Sequence, residues 1–206
     1  MGYDIYGMNP KQNQVEPAIL SSFNDENGWV NFNKMNDVDK KAYFKAQNQH
    51  KKDNPGEYFR ANVWFWRPIW NFVCMTCDFL SEEDRDAGCS NSGNRICKTK
   101  SLKIASRLRR LDKNGFVQEW EDEMMIIFEK AKKHNKKVQA ELKVHTDKMN
   151  LKYGFNTPPK DYDKLDYDTW SEIYAKKDWA SSYPPSRDYI MEFAVFCQES
   201  GGFEIC

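Results

Sequence analysis

The chain has 206 residues, and its 31 lysines and arginines are matched by 31 aspartates and glutamates. A molecule with no net charge exerts no overall pull on a polyanion, so binding of duplex nucleic acid is not expected, although a local patch could still hold a small phosphate-bearing ligand. Aromatic residues make up 15% of the chain, ample for a core, and the length suits one domain, 1–206, with a projecting element.

The N-terminal residues MGYDIYGMNP lack the basic start and apolar run of a signal peptide. Tyr6 stands where myristoylation needs Ser or Thr. No uncharged apolar stretch reaches about 18 residues, so no membrane span or membrane partner is expected. The expectation is a soluble cytoplasmic protein, and in that compartment its six cysteines are reduced thiols.

Tyr3–Tyr6 alternates and predicts a short strand, ended by Gly7 and Pro10. Residues 9–36 are rich in Asn, Gln and Pro, yet carry Phe23, Trp29 and Phe32, so they drape over the body as loop. Asp37-Val38-Asp39 caps a helix to about His50, and Asp53-Asn54-Pro55-Gly56 is a turn. Glu57–Leu80, EYFRANVWFWRPIWNFVCMTCDFL, reads as one mostly buried helix, kinked or restarted at Pro68. On it Arg60, Arg67, Asn71 and Asp78 fall within roughly 40° of one another, with Trp64 beside them. Residues 81–97 read as loop, with Glu82-Glu83-Asp84 a helix start or a solvated stretch.

Lys98–Lys113 predicts a basic amphipathic helix burying Ile104, Leu108 and Leu111 and stopped by Asn114-Gly115. Phe116–Tyr153 is the longest periodic segment. Val117, Trp120, Met124, Ile127, Ala131, His134 and Val138 recur in steps of three and four, a heptad-like seam. Past Val138 the spacing slips and lysines multiply, so 116–153 is expected to leave the core and protrude into solvent. Gly154 ends it, Pro158-Pro159 opens a linker, and Trp170–Trp179 suggests a short helix. Ser186 caps a last helix, Arg187–Ser200, and Phe203–Cys206 alternates like a strand that pairs with Tyr3–Tyr6.

MGYDIYGMNP, NPGEYFRANVWFWRPIW and FCQESGGFEIC together resemble a family of small uncharacterised proteins of bacteriophages and scattered bacteria. Residues 120–170 carry none of its words. The resemblance implies a setting, a bacterial or phage-infected cytoplasm, and an accessory role acting on host metabolism or host defence. It implies no activity and supplies no functional residues.

Read for chemistry, the chain is sparse. Cys74 and Cys77 form a C-x-x-C with Cys89 and Cys97 downstream, but the second pair is seven apart and the first lies in an apolar run. Small core thiols are the simpler account, and no metal is expected. His134 falls on the seam, and His145 and Asp147 lie on different sides of a helix. Ser200 stands beside glycines at a helix C-terminus, where the dipole opposes an oxyanion. Neither G-x-S-x-G nor a phosphate-binding glycine loop is present, so no catalytic residue and no cofactor is assigned. Lys100, Lys103, Arg107 and Arg110 form a basic face that either contacts phosphate or is merely solvated.

What remains is Arg60, Trp64, Arg67 and Asn71. The stripe is either an internal ion network, with Arg67 on Asp4 or Asp78, or an anion-binding site in which arginines fork onto phosphate and a tryptophan stacks on a planar ring. The expected fold is mainly α (α+β): a single compact helical domain with a short terminal β pair and one long protruding helix. The expected function is non-enzymatic binding of a small anionic, nucleotide-like ligand, in a role counteracting host defence signalling. The alternatives are a protein–protein inhibitor or adaptor, working on a host protein through the long charged helix, and an enzyme whose site assembles only in three dimensions.

Overall fold

In the computed structural model, which describes residues 2–206, the chain is mainly helical with a small antiparallel sheet. Where the length suits one domain, the contacts gather into two compact units: one is the segment ending at Val117 together with Ser186–Cys206, the other Gln118–Pro185. No helix among the described residues is long and apolar enough to cross a membrane.

The first unit is built on four strands in the order β2-β1-β4-β3. β1 (Gly2–Gly7) is central, pairing with β2 (Tyr58–Asn62) on one side and with β4 (Gly202–Ile205) on the other. β3 (Asn94–Cys97) closes the far edge on β4. The termini pair as the alternation predicts, with Ile5 opposite Ile205 and both fully buried. The pairing continues past β1, since Met8 N–H donates to Gly202 O and Asn9 N–H to Ser200 O.

Glu57–Leu80 is not one helix. Residues 58–62 alternate, Phe59 and Ala61 buried, Tyr58, Arg60 and Asn62 turned outward, which is the two-residue period of a strand. Asn62 then caps α2 (Val63–Thr76), its Oδ1 accepting from Trp64 N at 3.0 Å and Phe65 N at 3.1 Å. Pro68 sits inside α2 without ending it; near a helix start it forgoes one backbone bond, to Trp64 O. Residues 81–97 also hold more order than loop: α3 (Glu82–Ala87), started by a Ser81–Asp84 capping box, and β3.

α2, α4 (Lys98–Lys113) and α7 (Arg187–Glu199) cover one face of the sheet. α4 and α7 approach closely because Ser101 is small, and its buried hydroxyl donates to Cys197 O at 2.6 Å. Phe59, Phe193, Phe196 and Phe203 pack ring on ring beneath them. α1 (Asp37–Asp53) carries a smaller cluster of Leu20, Met35 and Tyr43, against which Phe23 packs. Trp29 is exposed.

The second unit is the rest of α5 (Phe116–Tyr153) with α6 (Lys164–Ala175). Past Val138 the helix is not the bare solvated stretch its lysines suggest. Leu142 and Met149 are buried, and Val138 and Leu142 pack with Ile173 of α6. The seam also departs from the heptad: Ile127 and His134 are exposed, and His134 Nε2 lies 2.8 Å from Lys176 O. Lys152 holds Asp163 and Asp166 at 2.6 and 2.7 Å, which keeps both carboxyls below the usual range.

Deleting Phe203–Cys206 removes two fully buried side chains and the strand between β1 and β3. At about 2–5 kcal/mol for each large side chain lost, the deletion exceeds what a typical domain can spare. The truncated chain is expected to show no cooperative melt by circular dichroism; a melting temperature equal to the parent's would refute the role of the terminal pairing.

Candidate functional site

The outward residues of the sheet and those of α2 separate what the helical reading joined. Arg60 stands on β2, its side chain 74% exposed, 3.9 Å from Asp4 across the strand pair. Asp4 also accepts from the Tyr58 hydroxyl, and burial together with that bond raises the Tyr58 phenol well above its usual range. Asp78 lies beyond the end of α2 and pairs with Arg107 at 2.9 Å. Neither Arg60 nor Asp78 lines a hollow with Arg67.

Trp64, Arg67 and Asn71 do stay together, one turn apart on α2. Trp64 and Arg67 line a hollow of 510 Å³ with Gly2, Tyr3, Val63 and the Cys89-Ser90-Asn91 loop. Arg67 and Asn71 line an adjoining hollow of 260 Å³ with Tyr3, Trp70, Gly88 and Cys89. Tyr3, Arg67 and Cys89 are common to both, so α2, the start of β1 and the loop after α3 frame one continuous depression.

Its walls are held by hydrogen bonds to backbone. The buried Trp66 indole donates to Gly88 O at 2.7 Å, and the Trp70 indole to Arg85 O at 2.7 Å. The Tyr3 hydroxyl donates to Cys89 O at 3.0 Å, and Asn91 Nδ2 to Gly2 O at 3.2 Å. A loop pinned at three points, with α3 held at a fourth, pays little ordering entropy when a ligand arrives. The depression also opens at the first turn of α2, where the helix dipole favours negative charge. Sequence reasoning identified the α2 side but missed Tyr3 and the 88–91 loop. The indoles in an otherwise apolar run were the available signal, since a buried Trp N–H needs an acceptor.

Three of the four basic side chains on the α4 face, Lys100, Lys103 and Arg107, are engaged within the protein. Lys100 Nζ holds both carboxylate oxygens of the buried Asp84 at 2.6 Å. Arg107 donates to Thr76 O and Asp78, and Lys103 lies 5.6 Å from the centre of the Phe79 ring. Burial alone would raise the Asp84 carboxyl; the bonds from Lys100 and Ser81 outweigh it and hold the group below its ordinary 3.8.

The cysteines form no metal cluster among the described residues. Cys77 and Cys197 are buried, and burial pushes the Cys77 thiol up to about 11, the behaviour of a core residue and not of a nucleophile. Comparison with family models, curated proteins and solved structures finds no match for this chain.

Two outcomes are expected. A Cβ at Gly88 would overlap the Trp70 indole. Gly88→Ala should therefore cost about 1–3 kcal/mol by overpacking, measured by urea denaturation; an unchanged midpoint would mean that the loop moves freely. For Asp84 the folded-state value lies below the unfolded one, so its stabilisation is present above about pH 4 and is lost as pH falls through the folded value. The melting-temperature gap between the parent and Lys100→Met should then be widest near neutral pH and narrow in acid. A gap independent of pH would refute the pairing.

Proposed function

We propose that this protein binds a small anionic ligand bearing a planar ring, of nucleotide type, in the depression between α2 and the 88–91 loop, and that it does so without catalysis. The observation that carries the reading is the convergence of Trp64 and Arg67 on one pinned hollow. Trp64, 41% exposed, offers a stacking surface, and Arg67 a planar fork of donors suited to phosphate or carboxylate. Asn71 and Asn91 supply amides that both donate and accept, as discrimination between ring edges needs. The 510 Å³ hollow falls in the usual range for small-molecule sites. The phage or bacterial accessory role, in the cytoplasm and directed at host defence signalling, is the setting in which such binding would act.

Calorimetric titration with a panel of nucleoside mono- and diphosphates tests this. Arg67→Ala should weaken binding about 10- to 150-fold, the worth of about 1.5–3 kcal/mol for a hydrogen bond to a charged group. Arg67→Lys should recover only part, because the forked geometry is lost. Arg60→Ala, on the strand, should bind as the parent does. No binding across the panel, or an Arg67→Ala variant that binds normally, would refute the proposal.

A second reading, an adaptor acting on a host protein through α5, is favoured by exposed apolar residues on that helix: Ile126 is 71% exposed, and Met125, Ile127 and Val144 are exposed beside charged neighbours. If it holds, Ile126→Glu should leave nucleotide titrations unchanged and abolish any complex seen by size-exclusion chromatography.

A further inference from the structure

A second hollow, of opposite character, lies in the first unit between α1 and the outward side of the sheet. It measures 310 Å³, and Tyr6, Tyr43 and Tyr58 line it together with Glu16, Glu57 and Lys51. Two carboxylates face one ammonium here, with His50 beside Glu57, so this hollow suits the anion proposed for the Trp64 hollow poorly.

Glu57 is oriented by a fixed chain of hydrogen bonds. Asn54 Oδ1 accepts from the backbone N–H groups of Asn13 and Gln14 at 2.8 and 3.0 Å. That settles which end of the amide is the nitrogen, and Nδ2 donates to Gln14 O and to His50 Nδ1, both at 3.0 Å. A ring that accepts at Nδ1 carries its proton on Nε2, which faces Glu57 Oε2 at 3.1 Å. In that arrangement His50 aims the Glu57 carboxylate.

The aromatic side matches. The Tyr6 and Tyr58 rings lie 5.2 Å apart, tilted against each other on neighbouring strands. The Tyr58 hydroxyl donates a hydrogen bond to the Asp4 carboxylate, which makes its ring a better partner for positive charge. Lys51 Nζ already lies 5.5 Å from the centre of that ring, so one of the protein's own ammonium groups uses the face.

We propose that this hollow binds an organic ammonium ion, a methylated or quaternary amine, between the Tyr6–Tyr58 pair and the Glu57 carboxylate, and that Lys51 competes with it for the ring. A quaternary nitrogen suits the site because its charge is spread over methyl groups. It donates no hydrogen bonds, so it needs ring faces and a nearby carboxylate and no ring of oxygen ligands.

The sign of the Lys51 effect is the test. Choline and tetramethylammonium chlorides are titrated into the full chain while the tyrosine ring resonances are followed by NMR, with glucose and inorganic phosphate as comparison probes. Both ammonium ions should shift the Tyr6 and Tyr58 resonances, and glucose and phosphate should not. Lys51→Ala, at an exposed position, should bind choline several-fold more tightly, while Glu57→Gln and Tyr6→Ala should each weaken it by roughly tenfold. Melting curves confirm that each variant is folded, and Asp53→Asn, close by but outside the lining, should bind as the parent does. Absence of choline-induced shifts, weaker choline binding by Lys51→Ala, or a response to phosphate or glucose in place of choline would each overturn the proposal. None of these outcomes bears on the Trp64 hollow.

Discussion

Ile5 and Ile205 lie opposite each other in the sheet, and most of the first unit follows from their pairing. β1 is the second strand in the order and the N-terminal one in the chain, so neither of its neighbours exists until residues more than fifty and about two hundred positions away have arrived. Closing such long loops is entropically costly, and it is offset only when the strands also bury Phe59, Phe203 and Ile205 under α2, α4 and α7. The sheet, the aromatic cluster and the position of the α2 N-terminus therefore form together.

That coupling explains where the Trp64 hollow sits. α2 follows β2 with no intervening loop, so the register of β2 on β1 fixes the direction in which Val63 and Trp64 leave the sheet. Tyr3 then comes beneath Arg67 from the neighbouring strand, and the buried indoles of Trp66 and Trp70 draw the 85–88 backbone onto the other side. Residues wholly committed to the core thus shape a surface feature, because an indole N–H out of water must find an acceptor and here the acceptor is a loop carbonyl.

A formal charge of zero hides a division of labour. On α4, Lys100 is tied to Asp84 and Arg107 to Asp78, and in the second unit Lys152 pairs with Asp163 and Asp166, and Lys176 with Glu141. What differs locally is at the two hollows of the first unit, one carrying an arginine beside a helix N-terminus, the other two glutamates against one lysine. Ligands of opposite sign would then be sorted by local potential, with no contribution from the molecule as a whole.

The amino-acid sequence by itself determined the elements whose signals are local. Lys98–Lys113 and Arg187–Glu199 are legible because the apolar period, the Ser186 cap and the closing Asn-Gly or Gly-Gly lie within a few residues of one another. The terminal strands are legible from alternation, and so is the grouping of Trp64, Arg67 and Asn71, which share a helix. The tertiary structure alone decided the rest. Residues 58–62 have enough apolar and aromatic side chains to continue a helix, and became a strand because β1 offers backbone partners that a helix could not use. The far half of α5 looks solvated until α6 covers Leu142. Arg60 parted from Arg67 for the first of these reasons. Tyr3 joined Arg67, and Glu57 joined Tyr6, because contacts between residues so far apart are set by how the strands register, and no local spacing encodes that.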